Sequence, residues 1–474
     1  MRYDRAMITN PISFGLLSSS SPLSAYLAPS PHRCRRVIIT KMNGSSNNED
    51  SSKGRNIIVV GGGIQGASCA FHFHESDALP PGSTITLLEA KSLASAASGK
   101  GGGFMARGWG DGTPTQTLHE LAFDMYEKLS KELGIVSYRK LPVISVAPGP
   151  TTDVKQDNKQ KNPKLASIIP SWLDGSVGRL SSMGMGDDTA QVTPKEVVEK
   201  MLEYVNGSGR EPGVKIVIGK CIGIESREDD NGMKVVTGVR YLKDGQQDEG
   251  LIMPADDVIV SSGPWACQAE EWFDGAVQLP MEGIKSTSIV WKPPLDVSGK
   301  ATIVDATALF CGEDNRFGTH LEVYPRPDGT IYICGIGGSD YISTAELQSW
   351  AFLDECPAKT DRVEAASSAF TMMSNSYATQ GELSHAQACM RPCPPDAKPY
   401  MGKIAGWNGA YINAGHNCWG IAWAPVCGMA IAELVLEGES RCVNLNPFDP
   451  ARFTSGERGG RGRKKGTVNV GEQW

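Results

Sequence analysis

The hydrophobic and polar positions of this chain form two different patterns. Continuous apolar runs, each followed directly by small residues, occur at residues 57–60 and 258–260, and residues 411–415 resemble them. Such runs are typical of parallel strands that are covered on both faces. Between about residues 276 and 385 the pattern changes to short strands, and the Asp-Gly turn at 327–329 is typical of a hairpin. An α/β domain is therefore predicted, interrupted by a second, α+β domain with an antiparallel sheet.

Helical periodicity marks three longer segments. Residues 116–133 carry apolar side chains on one face, and Gly134 follows as a C-cap. The sequence Thr-Pro-Lys-Glu that opens residues 193–205 predicts a capping box and a helix. A third helix is predicted from about 425 to 436, whereas residues 149–165 are polar and are predicted to form an exposed loop.

The first apolar run leads into glycines with the spacing of a dinucleotide-binding turn. Gly61 would make the tight bend, Gly63 would let the backbone approach a pyrophosphate, and Gly66 would let helix and strand pack closely. The next strand, residues 84–88, ends in Glu89, at the distance expected for an acid that holds a ribose hydroxyl. Glycines at this spacing also arise by chance or in structural turns, but strand, glycines, helix and acid together favour a nucleotide site.

Two other stretches bring small residues to the same edge of the predicted sheet. Residues 95–104 contain Ser98 and a run of glycines, and their backbone amides can approach a ligand closely. Residues 261–266 follow the strand at 258–260, at the edge where ligands bind in open α/β sheets. A flexible connector is the alternative for 95–104.

The amino-acid composition limits which binding partners the folded part of the chain can have. The 474 residues carry a net charge of -7, and 34 basic and 50 acidic residues lie between the basic ends 1–46 and 452–474. Such a body repels nucleic acid and anionic membranes. No apolar run long enough to span a membrane is expected. The twelve cysteines form no Cys-x-x-Cys pair, so neither a metal site nor a disulfide framework is predicted.

Both ends of the chain are predicted to lie outside the folded domains. Residues 1–54 are rich in serine and arginine and poor in acids, which is typical of an organellar transit peptide followed by a disordered linker. A plastid location is therefore expected, with the mitochondrion as an alternative, or the cytoplasm if the segment is only a disordered extension. Residues 446–474 are predicted to be a basic, disordered tail.

Taken in order, the motifs resemble the D-amino-acid oxidase, glycine oxidase and sarcosine oxidase family of FAD-dependent oxidoreductases. The resemblance is carried by the glycine turn with Glu89, residues 97–103, 258–266, the Tyr324-Pro325 motif, the Arg391-Pro392 motif and residues 415–425. It implies a Rossmann-like FAD-binding domain formed by residues 55–135, 190–275 and 386–445. It also implies a substrate-binding domain formed by 136–189 and 276–385.

The resemblance also implies which residues hold FAD. The first glycine turn would face the pyrophosphate and Glu89 the ribose, while Cys221 would contact adenine through its main chain. Residues 415–421 would present backbone amides to the flavin ring. The implied cofactor residues are Gly61, Gly63, Ile64, Gln65, Gly66, Glu89, Ser98, Gly99, Lys100, Gly101, Gly102, Cys221, Ser262, Gly263, Trp265, Cys389, Gly415, His416, Gly420 and Ile421.

On the substrate side, Arg391 occupies the position at which the glycine-oxidase-like pattern binds a substrate carboxylate. A guanidinium suits this role because its fork matches a carboxylate, although a structural salt bridge is the alternative. Tyr324, His416 and Trp419 are the other candidate pocket residues. Cys389 stands where sarcosine-oxidase-like members carry the cysteine that bonds the flavin, but a buried apolar cysteine is the alternative.

The family resemblance implies hydride transfer from the amine-bearing carbon of an amino acid or secondary amine to flavin, followed by imine hydrolysis and reoxidation by O₂. The lysine that activates oxygen in sarcosine oxidases is missing before Gly335, where Ile333 and Cys334 stand. The alternatives are therefore a dehydrogenase that uses a quinone or carrier, and a non-catalytic flavoprotein with a binding or trafficking role. The oligomeric state is not predicted.

Overall fold

A computed structural model describes residues 53–149, 162–243, 245–246, 249–296, 298–300 and 304–454. The predicted transit peptide lies almost wholly outside the described residues, as do residues 455–474 of the predicted tail.

The predicted parallel sheet is confirmed. Six strands follow the order β19-β21-β12-β1-β2-β8, with all neighbours parallel except β19, which runs antiparallel to β21. Its central strands are buried because helices pack on one face, and on the other face Val236, Val239 and Tyr241 of a small antiparallel sheet pack against them. The strands are β1 (Asn56–Val60), β2 (Thr84–Glu89), β8 (Val214–Ile218), β12 (Asp257–Val260), β19 (Tyr400–Lys403) and β21 (Ala410–Ala414).

Four helices lie beside this six-stranded sheet or close to its edge. They are α1 (Ile64–Glu75), α3 (Gln116–Glu132), α5 (Pro194–Gly207) and α10 (Gly420–Glu437). The predicted start of the last helix at Pro425 is wrong, because α10 begins five residues earlier and contains Pro425. Proline lacks the N–H that would bond to the carbonyl of Ile421, and the Tyr126 hydroxyl donates to that carbonyl instead at 2.6 Å.

The predicted capping box at Thr193 is also wrong. Helix α5 begins there with Pro194 in its first turn, but the Thr193 side chain makes no capping hydrogen bond. The Glu196 carboxylate turns away and accepts from the backbone N–H groups of Val136 and Ser137 at 2.8 and 3.0 Å. The long-range contact thus replaces the local one.

A second, eight-stranded sheet confirms the predicted antiparallel part. Its strand order is β17-β13-β16-β15-β14-β5-β6, and β18 pairs with β13 over their length. All pairs are antiparallel except β14 with β5. The strands are β5 (Val143–Val146), β6 (Leu180–Gly184), β13 (Glu282–Lys292), β14 (Ala308–Cys311), β15 (Glu322–Pro325), β16 (Ile331–Cys334), β17 (Asp340–Ile342) and β18 (Glu382–Cys393).

Strand β18 extends this sheet further than the sequence suggested. Residues 386–393 were expected in the cofactor-binding part, but Cys389 and Arg391 pair with Ser286 and Ile284 of β13. The pairing brings the Arg391-Pro392 motif to the sheet of the substrate side, at the point where the chain returns to the parallel sheet.

Two small sheets and six further helices also belong to the described fold. One sheet contains β9 (Lys220–Glu228), β10 (Lys234–Leu242), β11 (Leu251–Pro254) and β20 (Trp407–Asn408), and the other contains β3 (Phe104–Ala106), β4 (Arg139–Lys140) and β7 (Thr189–Gln191). The further helices are α2 (Ala97–Lys100), α4 (Pro163–Ala166), α6 (Ala269–Trp272), α7 (Thr344–Gln348), α8 (Thr360–Met373) and α9 (Asn375–Gln380).

Two predicted loops contain a helical turn instead. Helix α2 lies within the glycine-rich stretch 95–104. In the polar stretch 149–165, residues 150–161 lie outside the described residues, and the end of the stretch enters α4, whose Leu165 is buried. In α4 the Asn162 side chain accepts from the Leu165 N–H and stabilises the turn.

The predicted tail begins too early. Residues 446–454 form two 3₁₀ turns, Asn446–Phe448 and Pro450–Phe453, and Phe448 is fully buried. Arg452 binds Asp396 with two hydrogen bonds of 3.0 and 3.1 Å and stacks on Tyr400. These contacts attach the segment to the folded body.

One described helix is long and apolar enough to cross a membrane, contrary to the expectation from the sequence. It corresponds to Asn417–Glu437, and length and composition alone satisfy the criterion. Most of its residues are buried against α1 and α3. Its apolar character therefore has an explanation in the core of the fold.

Candidate active site

The glycine turn has the steric constraints that its spacing predicts. Gly61 has a positive φ of 113°, and a Cβ there would lie 2.5 Å from the backbone oxygen of Ser261. A Cβ on Gly66 would lie 1.9 Å from the oxygen of Gly61, so α1 packs against the turn itself. Gly63 lines a cavity beyond the carboxyl end of β1. The turn is thus closed on the side of the strand and open toward the cavity.

Glu89 borders this cavity at the end of β2. Its carboxylate accepts from the backbone N–H groups of Gly62 at 2.6 Å and Lys91 at 2.9 Å. Burial raises the pKa of Glu89 above its ordinary value, and the two amide donors oppose this change. The acid is therefore fixed beside the turn, as the motif predicts.

Contacts from the far end of the chain join the turn to residues 415–421. Gln65 donates to the backbone oxygen of Gly420 at 2.7 Å and accepts from the Asn413 side chain at 3.1 Å. One turn further along α1, the Ser68 hydroxyl donates to the Ala424 oxygen at 2.7 Å. The beginning and the end of the folded chain therefore meet at one cavity.

This cavity has a volume of about 600 Å³. Most of the predicted site residues line it: Gly61, Gly63, Ile64, Gln65, Glu89, Ser98, Lys100, Gly101, Gly102, Cys221, Ser262, Gly263, Trp265, Tyr324, Cys389, Arg391, His416, Trp419, Gly420 and Ile421. A volume of this size suits a cofactor or small-molecule site.

Three predicted cofactor residues do not line the cavity. Gly66 packs against Gly61, and a Cβ on Gly99 would lie 2.0 Å from the oxygen of Ala94. Gly415 has a φ of 77° and packs beside Pro394. The structure gives these glycines a conformational role, because each fits where a side chain would collide.

Ser98 and Lys100 touch the cavity but have partners of their own. The Ser98 hydroxyl accepts from the backbone N–H of Ile64 at 2.9 Å, which satisfies one amide at the N-terminus of α1. The Lys100 ammonium donates to the oxygen of Ala388 at 3.1 Å. Helix α2 is thereby tied both to the glycine turn and to β18.

At the other end of the cavity lies a group that we call the charged chamber: Arg391, Glu322, Tyr324 and Cys334. Among the described residues Arg391 forms no ion pair, and its Nε atom is buried without a hydrogen-bond partner. Burial disfavours its charge, but nearby groups, Cys418 first among them, raise the pKa of Arg391. A buried guanidinium without a protein partner is suited to an anion from outside the chain.

Glu322 stands opposite as the acid of the charged chamber. Its Oε2 accepts from the Tyr324 hydroxyl and from the Cys334 thiol, the latter at 3.4 Å. Burial raises the pKa of Tyr324 and of Cys334 well above their ordinary values, and Glu322 adds to both shifts. Both groups therefore keep their protons and remain donors.

Aromatic side chains, which we call the aromatic wall, line the cavity beside the charged chamber. Phe104 and Tyr324 stack with their ring centres 5.4 Å apart, Phe310 meets Phe104 edge-on at 5.2 Å, and Trp109 lies 5.8 Å from Trp419. Apolar rings next to charged groups reduce their contact with water, which strengthens the interactions between those charges.

His416 and Cys389 lie along the cavity as predicted. Burial lowers the pKa of His416 to about 3, so the ring is neutral, and its Nε2 is buried without a partner in the described part of the chain. Burial raises the pKa of Cys389 to about 11, so its sulfur is a thiol at neutral pH. A thiol is a poor nucleophile, which favours the interpretation of Cys389 as a packed side chain.

The donor set fits FAD. Beside the turn, Ser262 Oγ and Asn413 Oδ1 are buried without partners in the described structure, as is His416 Nε2. The glycines at 61, 63, 101 and 102 leave room where side chains would collide. A dinucleotide with a polar diphosphate and a ring edge rich in acceptors and donors would use both features.

A parallel sheet with a dinucleotide turn, joined by one cavity to an antiparallel sheet with an unpaired cation, defines a nucleotide-cofactor oxidoreductase. The family model "DAO: FAD dependent oxidoreductase" matches residues 56–434, and the chain belongs to this family. It is therefore an FAD-dependent enzyme.

Known proteins support the same fold. A Schizosaccharomyces pombe protein named as an oxidoreductase is 27% identical over 413 residues, covering 84% of this chain and 98% of the relative. The glycine oxidase of Geobacillus kaustophilus has a similar structure, with a TM-score of 0.61 at 17% identity, covering 84% and 99% of the two chains. L-proline dehydrogenase from P. horikoshii has a TM-score of 0.60 at 18% identity and covers 85% and 98%.

Glu322, Cys334 and three members of the aromatic wall, Phe104, Trp109 and Phe310, were not predicted as site residues. A signal existed for Glu322, because side chains two apart on a strand share a face and Tyr324 was already a candidate. Phe104 and Trp109 carried no such signal, since only the packing of β3 against the larger sheet brings them to the cavity.

Proposed function

We propose that this enzyme oxidises the carbon–nitrogen bond of an amino acid or of a secondary amine that carries a carboxylate. The observation that carries the proposal is Arg391, a buried guanidinium without a protein partner, on the same cavity as the glycine turn. The product would be an imine, which water converts to an oxo-acid and ammonia or an amine. FAD supplies the hydride acceptor in this chemistry.

The residues of the chain would bind, orient and shield the substrate. Arg391 would hold the carboxylate by paired hydrogen bonds and so fix the orientation of the amine-bearing carbon. The aromatic wall would exclude water from that carbon. Neutral His416 and the backbone of 415–421 would contact the cofactor, and the glycine turn with Glu89 would hold its diphosphate and ribose.

Reoxidation by O₂ is part of the proposal, but one observation favours a second acceptor. The oxygen-activating lysine of the resembling sarcosine oxidases is missing before Gly335, where Ile333 and Cys334 stand, and the Cys334 thiol donates to Glu322. One of the similar structures is named a dehydrogenase. A quinone or a carrier protein is therefore the second candidate acceptor.

The proposed reaction can be tested by mixing the FAD-loaded protein, without air, with D-, L- and N-methyl amino acids. Bleaching of the flavin absorbance by at least one of them is expected, with the matching oxo-acid as product. Air is then admitted: rapid return of colour with peroxide supports the oxidase, and return only with a quinone supports the second candidate. No bleaching by any carboxylate-bearing amine would contradict the proposed function.

We also propose that residues 1–54 direct the protein to plastids. The composition of this segment supports it. Fusing residues 1–54 to a fluorescent protein should give plastid fluorescence in plant cells, whereas a diffuse signal would contradict the proposal.

A further inference from the structure

Strand register aligns Glu322 with two other cavity side chains. Glu322 of β15 pairs with Phe310 of β14 on one side and with Cys334 of β16 on the other. Residues directly opposite in a sheet point to the same face, and all three line the cavity. The carboxylate is therefore part of the cavity wall, not of the surface of the sheet.

The Glu322 carboxylate is held by one oxygen and offers the other. Tyr324 and Cys334 both donate to Oε2. No described donor reaches Oε1, and none of the described cations forms an ion pair with Glu322. A carboxylate fixed in this way presents a directed acceptor to whatever enters the cavity.

Arg391 is the opposite charge on the same cavity, and the two do not pair. No nitrogen of Arg391 comes within 4.0 Å of an oxygen of Glu322. Leaving both ions unpaired in a water-poor site costs stability, and a ligand that carries both charges would remove that cost. The substrate of an amine-oxidising enzyme has this form when it is a zwitterion.

The surroundings of Glu322 suit a cation more than a neutral group. The rings of Phe310, Tyr324 and Phe104 lie in contact with one another beside the carboxylate. Aromatic faces attract cations, and they limit the water that would otherwise screen the carboxylate.

We propose that Glu322 binds the positively charged nitrogen of the substrate while Arg391 binds its carboxylate. The enzyme would then select zwitterionic amino acids over plain amines and over carboxylic acids without nitrogen. This inference rests on the proposed function and names the substrate class of the same site.

A pair of isosteric ligands isolates the charge that Glu322 would recognise. Trimethylglycine carries a quaternary nitrogen, which cannot be oxidised, and 3,3-dimethylbutanoate has carbon in place of that nitrogen. Each is titrated into the FAD-loaded protein, and the change in flavin absorbance gives its Kd. The wild type should bind trimethylglycine at least about tenfold more tightly.

Variants separate the inference from the function on which it rests. Glu322→Gln should remove the preference by weakening the binding of trimethylglycine, and Tyr324→Phe should weaken the preference only in part. Glu382→Gln, an exposed acid on β18, is the matched control and should keep the preference. Equal affinities in the wild type, or a preference that survives in Glu322→Gln, would overturn the role of Glu322. If neither ligand bound the wild type, the carboxylate site and the proposed function would fail instead.

Discussion

The glycine turn at residues 61–66 and the charged chamber lie on the same cavity but are built differently. The turn consists of backbone atoms and glycines in close contact, and its polar groups are held by Glu89, Ser98 and Gly420. The charged chamber consists of side chains from three strands, and Arg391 has no protein partner. One region is fixed before any ligand arrives, whereas the other presents charges to a ligand.

This difference predicts where substitutions will act. A substitution in the glycine turn should lower both the stability of the fold and the amount of bound cofactor, because the turn has no space for an added atom. A substitution in the charged chamber should weaken substrate binding and leave the stability of the fold and the cofactor content unchanged.

Gly66→Ala should have the largest effect. The added methyl group would lie 1.9 Å from the oxygen of Gly61, and both positions are backbone, so neither can move alone. We expect a loss of about 3 kcal/mol or more in unfolding free energy, and little bound FAD. Thermal unfolding and the flavin content of the purified variant measure both effects.

Gly207→Ala is the control for Gly66→Ala, since a Cβ at Gly207, the last residue of α5, meets nothing within 4 Å. It should keep the stability and the flavin content of the wild type. A Gly66→Ala protein with wild-type stability and flavin would refute the close packing of α1 against the turn.

Arg391→Ala should leave the cofactor in place and raise the KM for carboxylate substrates about 100-fold, which corresponds to roughly 3 kcal/mol of lost binding. The guanidinium has no structural partner, so its removal should cost little stability. Steady-state kinetics and flavin content are the measurements. Arg227→Ala, an exposed arginine on β9, is the control. Unchanged kinetics would remove Arg391 from the substrate site.

The burial of Asp257 in the six-stranded sheet predicts that the stability of the fold depends on pH. Burial raises the pKa of Asp257 to about 6, although Arg55 pairs with it. A carboxyl whose pKa is higher in the folded state stabilises the fold below its ordinary pKa, and this contribution is lost as pH rises through about 6. We expect the wild type to lose about 2 kcal/mol of unfolding free energy from this group between about pH 4 and pH 8.

Asp257→Asn should remove this component of the pH dependence. Denaturant titrations of both proteins across the same pH range measure the difference between their slopes. Parallel curves would show that Asp257 titrates normally and that its burial has no effect on stability.

Cys389→Ala should have the smallest effect. Its thiol is buried and protonated at neutral pH, so we expect a stability change of about 1 kcal/mol and no change in cofactor retention. Denaturing the wild-type protein should release all of its flavin. Flavin that remains attached to the unfolded chain, and is released in Cys389→Ala, would instead establish a covalent bond.

The same contrast explains what the sequence could predict. Only glycine fits at positions 61 and 66. This requirement fixes the spacing of the glycines in the sequence, so the turn and the sheet that carries it could be predicted. The register of β13, β15 and β18 is set by pairings between distant segments, and it brings Glu322 and Arg391 to the same cavity. Phe104 and Trp109 likewise reach the site only through packing.

Predictions from short sequence patterns were wrong where a residue bonds to a partner that is distant in sequence. Glu196 caps the backbone at Val136 in place of its own helix. Pro425 is tolerated inside α10 because Tyr126 satisfies the free carbonyl of Ile421. Residues 446–454 fold back because Arg452 meets Asp396. None of these partners is close in sequence.

A single titration can establish whether FAD and Arg391 share one cavity. Adding 3,3-dimethylbutanoate to the FAD-loaded protein should give a saturable change in the flavin spectrum, and Arg391→Ala with the same flavin content should give none. No spectral change in the wild type, or an equal change in the variant, would show that the ligand carboxylate is not bound by Arg391 beside the flavin.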